Sequence, residues 1–115
     1  MTGSEAQEQK ALFEWAEYFP ALKWLHAIPN GGRRDKKEAA DLKRQGVKAG
    51  VSDIFLPLPK GKYHGLYIEM KVKGNKPTEK QTEFLEYAKG AGYAVAVTYS
   101  AEEAIKVITM YLKEE

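Results

Sequence analysis

The chain contains no cysteine, and none of its apolar runs approaches the ~18 residues that a membrane-spanning helix needs. The absence of cysteine excludes disulfides, thiol nucleophiles and thiolate zinc sites. The first ten residues are polar and do not resemble a secretion signal. Internal repeats and low-complexity segments are also absent from the sequence. We therefore expect a cytoplasmic protein that does not interact with a membrane.

Positive charge is concentrated in one part of the chain. The 115 residues, the length of one ordinary domain, carry a formal net charge of only +2. Seven of the residues between Gly31 and Gly50 are nevertheless basic, against three acidic ones. The basic residues are Arg33, Arg34, Lys36, Lys37, Lys43, Arg44 and Lys48. A local basic patch on a nearly neutral protein favours a polyanion as partner, although a solvated helix face is the alternative.

Capping residues and apolar spacing predict the order α-β-α-β-β-α-β-α, an α/β fold. The predicted helices cover 4–19, 35–45 and 78–89, and a last one begins at Ser100. The predicted strands cover 23–28, 51–58, 64–72 and 93–99. A short turn joins the second and third strands, which therefore form an antiparallel hairpin. Helices are expected on both faces of a mixed sheet.

Ionisable residues interrupt the two apolar strands of this hairpin. Asp53 lies in the first strand, and Glu69 and Lys71 share one face of the second. Burying a carboxylate is costly unless it is paired or metal-bound. Two carboxylates on neighbouring strands can converge on a hard cation, with the Met70 carbonyl as a further oxygen ligand. The alternatives are a capping role for Asp53 and an exposed polar strand face for Glu69 and Lys71.

Two further polar residues lie on the apolar stripes of predicted helices. Glu8 is in line with Leu12 and Trp15 of the first helix, and Gln81 is in line with Phe84 of the third. Glu8 either points into a site or stabilises the helix N-terminus. Gln81 either contributes to a site or completes a capping box with Thr78.

The ordered set of these motifs resembles the VRR-NUC domain, the virus-type replication-repair nuclease group of the PD-(D/E)XK nuclease superfamily. The resemblance rests on Ile28-Pro29-Asn30-Gly31-Gly32, Gly50-Val51-Ser52-Asp53, Ile68-Glu69-Met70-Lys71 and Gln81. It implies one nuclease domain over 1–115, with a restriction-endonuclease-like PD-(D/E)XK core. The likeness is greatest to the stand-alone members that bacteriophages encode, which would place the protein in the host cytoplasm. Ser52 stands where the family usually has proline.

The resemblance also implies roles for individual residues. Asp53 and Glu69 match the metal-binding acids, Lys71 the catalytic lysine, Glu8 the helix glutamate and Gln81 the helix glutamine. The expected ligands of Mg²⁺ or Mn²⁺ are Asp53, Glu69, the Met70 carbonyl and Glu8.

The expected activity is metal-dependent hydrolysis of DNA phosphodiesters, selective for branched structures such as Holliday junctions, by a homodimer. DNA contacts are expected from Asn30, Arg33, Arg34, Lys36, Lys37, Lys43, Arg44, Lys48 and Lys73. The main alternative is a non-catalytic nucleic-acid-binding module, in which the acids are structural. A small α/β protein-interaction domain is a third possibility.

Overall fold

The computed structural model describes residues 4–29 and 35–115. Within these ranges the helices are α1 (Glu5–Ala16), α2 (Lys36–Arg44), α3 (Glu79–Gly90) and α4 (Ala101–Leu112). The strands are β1 (His26–Ala27), β2 (Ile54–Leu56), β3 (Leu66–Met70) and β4 (Ala94–Thr98). The predicted order is confirmed, with an additional 3₁₀ helix at Pro20–Leu22. No helix in the described ranges has both the length and the hydrophobicity to cross a bilayer.

In the described part of the chain, the strands form one mixed four-stranded sheet in the order β1-β2-β3-β4. β2 pairs antiparallel with both β1 and β3, so the predicted hairpin is confirmed. β4 pairs parallel with β3, because α3 returns the chain to the same end of the sheet. The mixed α/β fold expected from the sequence is therefore present.

The strands and the first helix are shorter than the sequence predicts. β1 has two residues instead of six, because residues 23 and 24, which follow the 3₁₀ helix, form a turn. β3 ends at Met70 instead of residue 72, and Val72 is 38% exposed. α1 ends at Ala16 instead of Phe19, and Phe19 is 41% exposed. In each case the apolar run in the sequence is longer than the segment with regular helix or strand geometry.

The hydrophobic core lies between one face of the sheet and the pair α1 and α4. It contains Leu12 from α1, Ile108 from α4, and Ile54 and Ile68 from the sheet, all 0% exposed. Alternation along β2 and β3 then directs the intervening side chains to the opposite face. That face carries an aromatic cluster formed by Phe55, Tyr67, Phe84 and Tyr93. α3 covers it, since Phe84 belongs to α3 and contacts the Tyr67 ring edge-on.

Glu8 joins the two helices that cover the core. Its carboxylate Oε1 accepts a hydrogen bond of 2.8 Å from the backbone N–H of Ala101, the first residue of α4. A helix N-terminus has unsatisfied N–H groups and favours negative charge, so this contact stabilises the start of α4. The bond also fixes α1 against α4 at one end of the core.

Replacing this carboxylate should destabilise the protein measurably. We expect Glu8→Ala to lower the free energy of unfolding by about 1–3 kcal/mol, because the partly buried Ala101 N–H loses its acceptor. Denaturant unfolding of Glu8→Ala beside Glu14→Ala, an exposed residue of the same helix, measures the difference. Equal stability of the two variants would contradict the assigned role of this hydrogen bond.

Candidate active site

The register of the β2–β3 hairpin brings Asp53 and Glu69 together. Ile54 pairs with Ile68 and Phe55 with Tyr67, so the next position pairs Asp53 with Glu69. Residues that are directly opposite each other in an antiparallel pair have Cβ atoms about 4.5–5.5 Å apart. Both carboxylates therefore project from the α3 face of the sheet, at the end of the aromatic cluster.

A backbone amide of the neighbouring strand fixes the Asp53 side chain. Asp53 Oδ2 accepts a hydrogen bond of 2.8 Å from the Met70 N–H. Since β2 begins only at Ile54, the Met70 amide lies beyond the β2–β3 ladder and takes the carboxylate as its acceptor. Sequence analysis named the Met70 carbonyl as a metal ligand, and this role stays a prediction. It did not foresee the hydrogen bond from the Met70 N–H to Asp53.

Glu69 is the buried member of the pair. It is 1% exposed, and its Oε2 accepts a hydrogen bond of 3.1 Å from Gln81 Nε2. Its Oε1 is buried without a hydrogen-bond partner among residues 4–29 and 35–115. An ionised carboxylate in this position lacks part of the stabilisation that water would give it.

The surroundings of Glu69 favour its protonated form. Burial of the carboxyl group, followed by the charge of Asp53, raises the pKa of Glu69 to about 8. A hydrogen bond between the Asp53 and Glu69 carboxyl groups raises it further, whereas the positive charge of Lys71 acts in the opposite direction and the charge of Glu5 adds a small increase. Sequence analysis did not single out Glu5, although it lies one helical turn before Glu8 on α1. The two carboxylates therefore carry fewer than two negative charges at neutral pH without a cation.

Gln81 completes the capping box and also contacts Glu69, while its role in a site stays a prediction. Its Oε1 accepts a hydrogen bond of 2.8 Å from the Thr78 N–H, while its own N–H donates to Thr78 Oγ1, which completes the capping box of α3. Its Nε2 remains available and donates to Glu69. The capping box thus fixes the amide in the orientation that supports the Glu69 carboxylate.

Lys71 and Glu8 occupy different surroundings. Lys71 is half-buried directly after β3, and its N–H donates a hydrogen bond of 2.8 Å to the Thr98 carbonyl. That bond continues the parallel pairing with β4 beyond Met70 and anchors the lysine two residues from Glu69. Glu8, in contrast, directs one carboxylate oxygen to the N-terminus of α4. Its assignment to the metal site stays a prediction.

The oxygen atoms at this position fit a hard divalent cation. No group of three or more His, Cys, Asp or Glu side chains in the described ranges is arranged to hold a metal. Mg²⁺, however, is commonly held in proteins by one or two carboxylates, with water and substrate phosphates completing its shell. A cation between Asp53 and Glu69 would neutralise their repulsion and provide the unpartnered Oε1 with a ligand interaction. The pair is therefore a candidate metal centre.

The basic residues expected to contact DNA are largely exposed. Four of them belong to α2, namely Lys36, Lys37, Lys43 and Arg44; Lys48 follows α2 and Lys73 follows β3. Arg44 forms an ion pair with Asp41, which reduces the charge it offers to a partner. Asn30, Arg33 and Arg34 lie outside the described residues. Binding of DNA by this set stays a prediction.

Gly50 allows the segment leading to Asp53 to pack closely against α3. Its φ angle is +94°, and a Cβ at this position would lie 2.6 Å from the Lys80 carbonyl oxygen. Lys80 directly precedes Gln81, so this contact sets the distance between the Asp53 strand and the residue that supports Glu69. Only glycine combines this φ with so close an approach.

Gly46 offers a matched control for this contact. Its φ is +100°, but a Cβ there would meet no atom within 4 Å among the described residues. We expect Gly46→Ala to lower the free energy of unfolding by about 1–2 kcal/mol, the cost of a left-handed conformation. Gly50→Ala should lower it further, because the chain must also move away from Lys80. Denaturant unfolding of both variants tests this, and equal losses would show that the close approach is unimportant.

The raised pKa of Glu69 predicts how the stability of the metal-free protein depends on pH. The unfolded chain releases this proton near pH 4.5 and the folded protein only near pH 8. The contribution of Glu69 to stability is therefore complete below about pH 4.5 and decreases as the pH rises towards 8. Glu69→Gln, which cannot ionise, should lose this part of the pH dependence. Thermal unfolding in EDTA across this range measures it, with Glu86→Gln on the surface of α3 as control. Parallel curves for wild type and Glu69→Gln would contradict the assignment.

Comparison with known proteins agrees with the fold. The family model described as the VRR-NUC domain matches residues 3–102. A solved structure described as a VRR_NUC domain protein is 31% identical in sequence, with a TM-score of 0.85, and the match covers 98% of this chain and 91% of that one. A search of the curated proteins finds no match. With the family model covering most of the chain and the fold shared, the chain belongs to the VRR-NUC domain family and has a nuclease-type fold.

Proposed function

We propose that the protein is a metal-dependent DNA endonuclease that hydrolyses phosphodiester bonds. The single observation that carries the proposal is the Asp53–Glu69 pair. The hairpin register sets two acids side by side, and one of them is buried with an oxygen that has no hydrogen-bond partner in the described part of the chain. A structural role would be better served by one acid or by an apolar pair, since burial and the charge of Asp53 raise the pKa of Glu69. Membership of a nuclease family supports the same conclusion.

Asp53 and Glu69 would hold Mg²⁺ or Mn²⁺, together with the Met70 carbonyl. Glu8 is proposed to complete the ligand set, directly or through water. A bound cation supplies positive charge that polarises the phosphate and stabilises the charge developing in the transition state. Asp53 keeps its orientation through the Met70 N–H, and Glu69 keeps its orientation through Gln81. The protein thus provides two oriented carboxylates at the end of a rigid hairpin.

Lys71 is proposed to act on the water that attacks the phosphorus atom. It lies on the strand that carries Glu69, and its charge is felt by that carboxylate. A neutral amine would accept a proton from the water, whereas an ammonium group would stabilise the developing negative charge. Both roles require the side chain close to the carboxylate pair. The effect of the Lys71 charge on Glu69 supports this position, and the backbone bond to Thr98 fixes the strand at this residue.

The proposed substrate is DNA with a branched structure, bound by a homodimer of one nuclease domain per chain over 1–115. The exposed lysines of α2, with Lys48 and Lys73, supply positive charge for phosphate contacts. Recognition of DNA shape is favoured over recognition of base sequence, because contacts from lysine to phosphate carry no sequence information.

Replacing Asp53 or Lys71 should abolish cleavage but not DNA binding. We expect Asp53→Asn and Lys71→Ala each to lower the cleavage rate at least ~100-fold. The first removes a negative charge that would hold the cation, and the second removes the group proposed to act on the attacking water. The assay uses labelled four-way junction, flap, single-stranded and linear duplex DNA with Mg²⁺, Mn²⁺ or EDTA. Lys113→Ala, an exposed lysine at the end of α4, serves as control.

The outcomes separate the proposed enzyme from a binding module. Metal-dependent cleavage that Asp53→Asn abolishes supports the nuclease, and the substrate cut fastest identifies the preferred DNA structure. DNA binding that is sensitive to salt, without cleavage in any metal, would instead contradict the nuclease and favour the binding module.

A further inference from the structure

An open groove lies between α2, residues 47–51 and α3, and its volume is about 960 Å³. We call it the α2–α3 groove. Every side chain of α2 is at least partly exposed, including Leu42, which faces this groove. α2 therefore presents apolar surface to the groove instead of packing that surface against the core. Such a surface on a small protein marks a binding site for a partner.

Aromatic and aliphatic side chains line the groove. Phe84 and Tyr87, one helical turn apart on α3, contribute to this lining together with Leu42 and Val47. Tyr87 is 72% exposed, an unusually large exposure for an aromatic ring. Planar rings that are open to solvent provide platforms on which nucleic-acid bases stack.

Basic side chains line the same groove. Lys43, Lys48 and Lys80 contribute to its lining, and they outnumber its one acidic residue, Glu83. The combination of positive charge with aromatic and aliphatic surface matches the chemistry of an unpaired nucleic-acid strand, which has phosphates on one side and exposed bases on the other. A paired duplex keeps its bases stacked inside and offers nothing to the apolar surface.

The groove lies beside the candidate active site. Lys80, which lines the groove, directly precedes Gln81, which hydrogen-bonds Glu69. Val51, which also lines it, lies two residues before Asp53. A strand lying in the groove would therefore pass beside the Asp53–Glu69 pair.

We propose that the α2–α3 groove binds an unpaired DNA strand, with bases stacked on Tyr87 and phosphates contacted by Lys43, Lys48 and Lys80. The inference deepens the proposed nuclease function, on which its placement beside the active site depends. It identifies the unpaired segment of a branched substrate as the recognised feature. A second copy of the chain is a poorer occupant, because a two-fold contact through the groove would bring its lysines towards their own copies.

The test measures binding in EDTA, so that it does not depend on cleavage. Fluorescence anisotropy with labelled oligo-dT and with a labelled linear duplex compares wild type, Tyr87→Ala and Tyr18→Ala. Tyr18 is the matched control, since it is 84% exposed and lies just after α1, outside the groove lining. Tyr87→Ala should lower the affinity for oligo-dT, relative to duplex, by about tenfold, the effect of losing a stacked base. Tyr18→Ala should leave this ratio unchanged.

The outcomes distinguish the groove from the nuclease. An unchanged ratio in Tyr87→Ala would overturn the inference, even where the wild type cleaves DNA with metal. Loss of oligo-dT binding in Tyr87→Ala, with no cleavage by the wild type in any metal, would support the groove and reject the nuclease. A change of molecular mass in Tyr87→Ala by sedimentation, with the affinity ratio unchanged, would assign the groove to contacts between copies and overturn the inference.

Discussion

The repulsion between Asp53 and Glu69 is the constraint on which the site depends. The β2–β3 register places the two carboxylates opposite each other, and burial of Glu69 removes the water that would weaken their interaction. Burial and the charge of Asp53 raise the pKa of Glu69 to about 8, so that protonation relieves the repulsion at neutral pH. A divalent cation would relieve it without the proton. The arrangement that favours the proton would therefore also favour the proposed cation.

The surrounding structure holds this unfavourable pair in place. The Met70 amide binds Asp53, and Gln81, fixed by its own capping box with Thr78, binds Glu69. Gly50 brings the Asp53 segment against α3 so that these contacts occur together. The large core on the other face, between the sheet and the pair α1 and α4, provides the stability that offsets the cost. Site and core therefore occupy opposite faces of one short hairpin.

The sequence predicted the parts of this arrangement that depend on local pattern. The helix caps at Ser4 and Thr78 depend only on neighbouring residues, and both are present. The Met70–Asp53 hydrogen bond and the influence of Glu5 on Glu69 were not predictable, because they depend on register and on how α1 crosses the sheet. Glu8 shows the same limit, since its bond to Ala101 joins residues 93 positions apart. The short β1 also reflects tertiary packing, which the apolar run from 23 to 28 does not encode.

The most direct test of the account is binding of a divalent cation by the carboxylate pair. Titration of the metal-free protein with Mn²⁺ near neutral pH, followed by the electron paramagnetic resonance signal of free Mn²⁺, measures this binding without DNA and without catalysis. We expect saturable binding by the wild type and by the surface variant Glu86→Gln, and strong loss of binding in Asp53→Asn and Glu69→Gln. Equal binding by all four proteins would place the cation elsewhere and contradict the account.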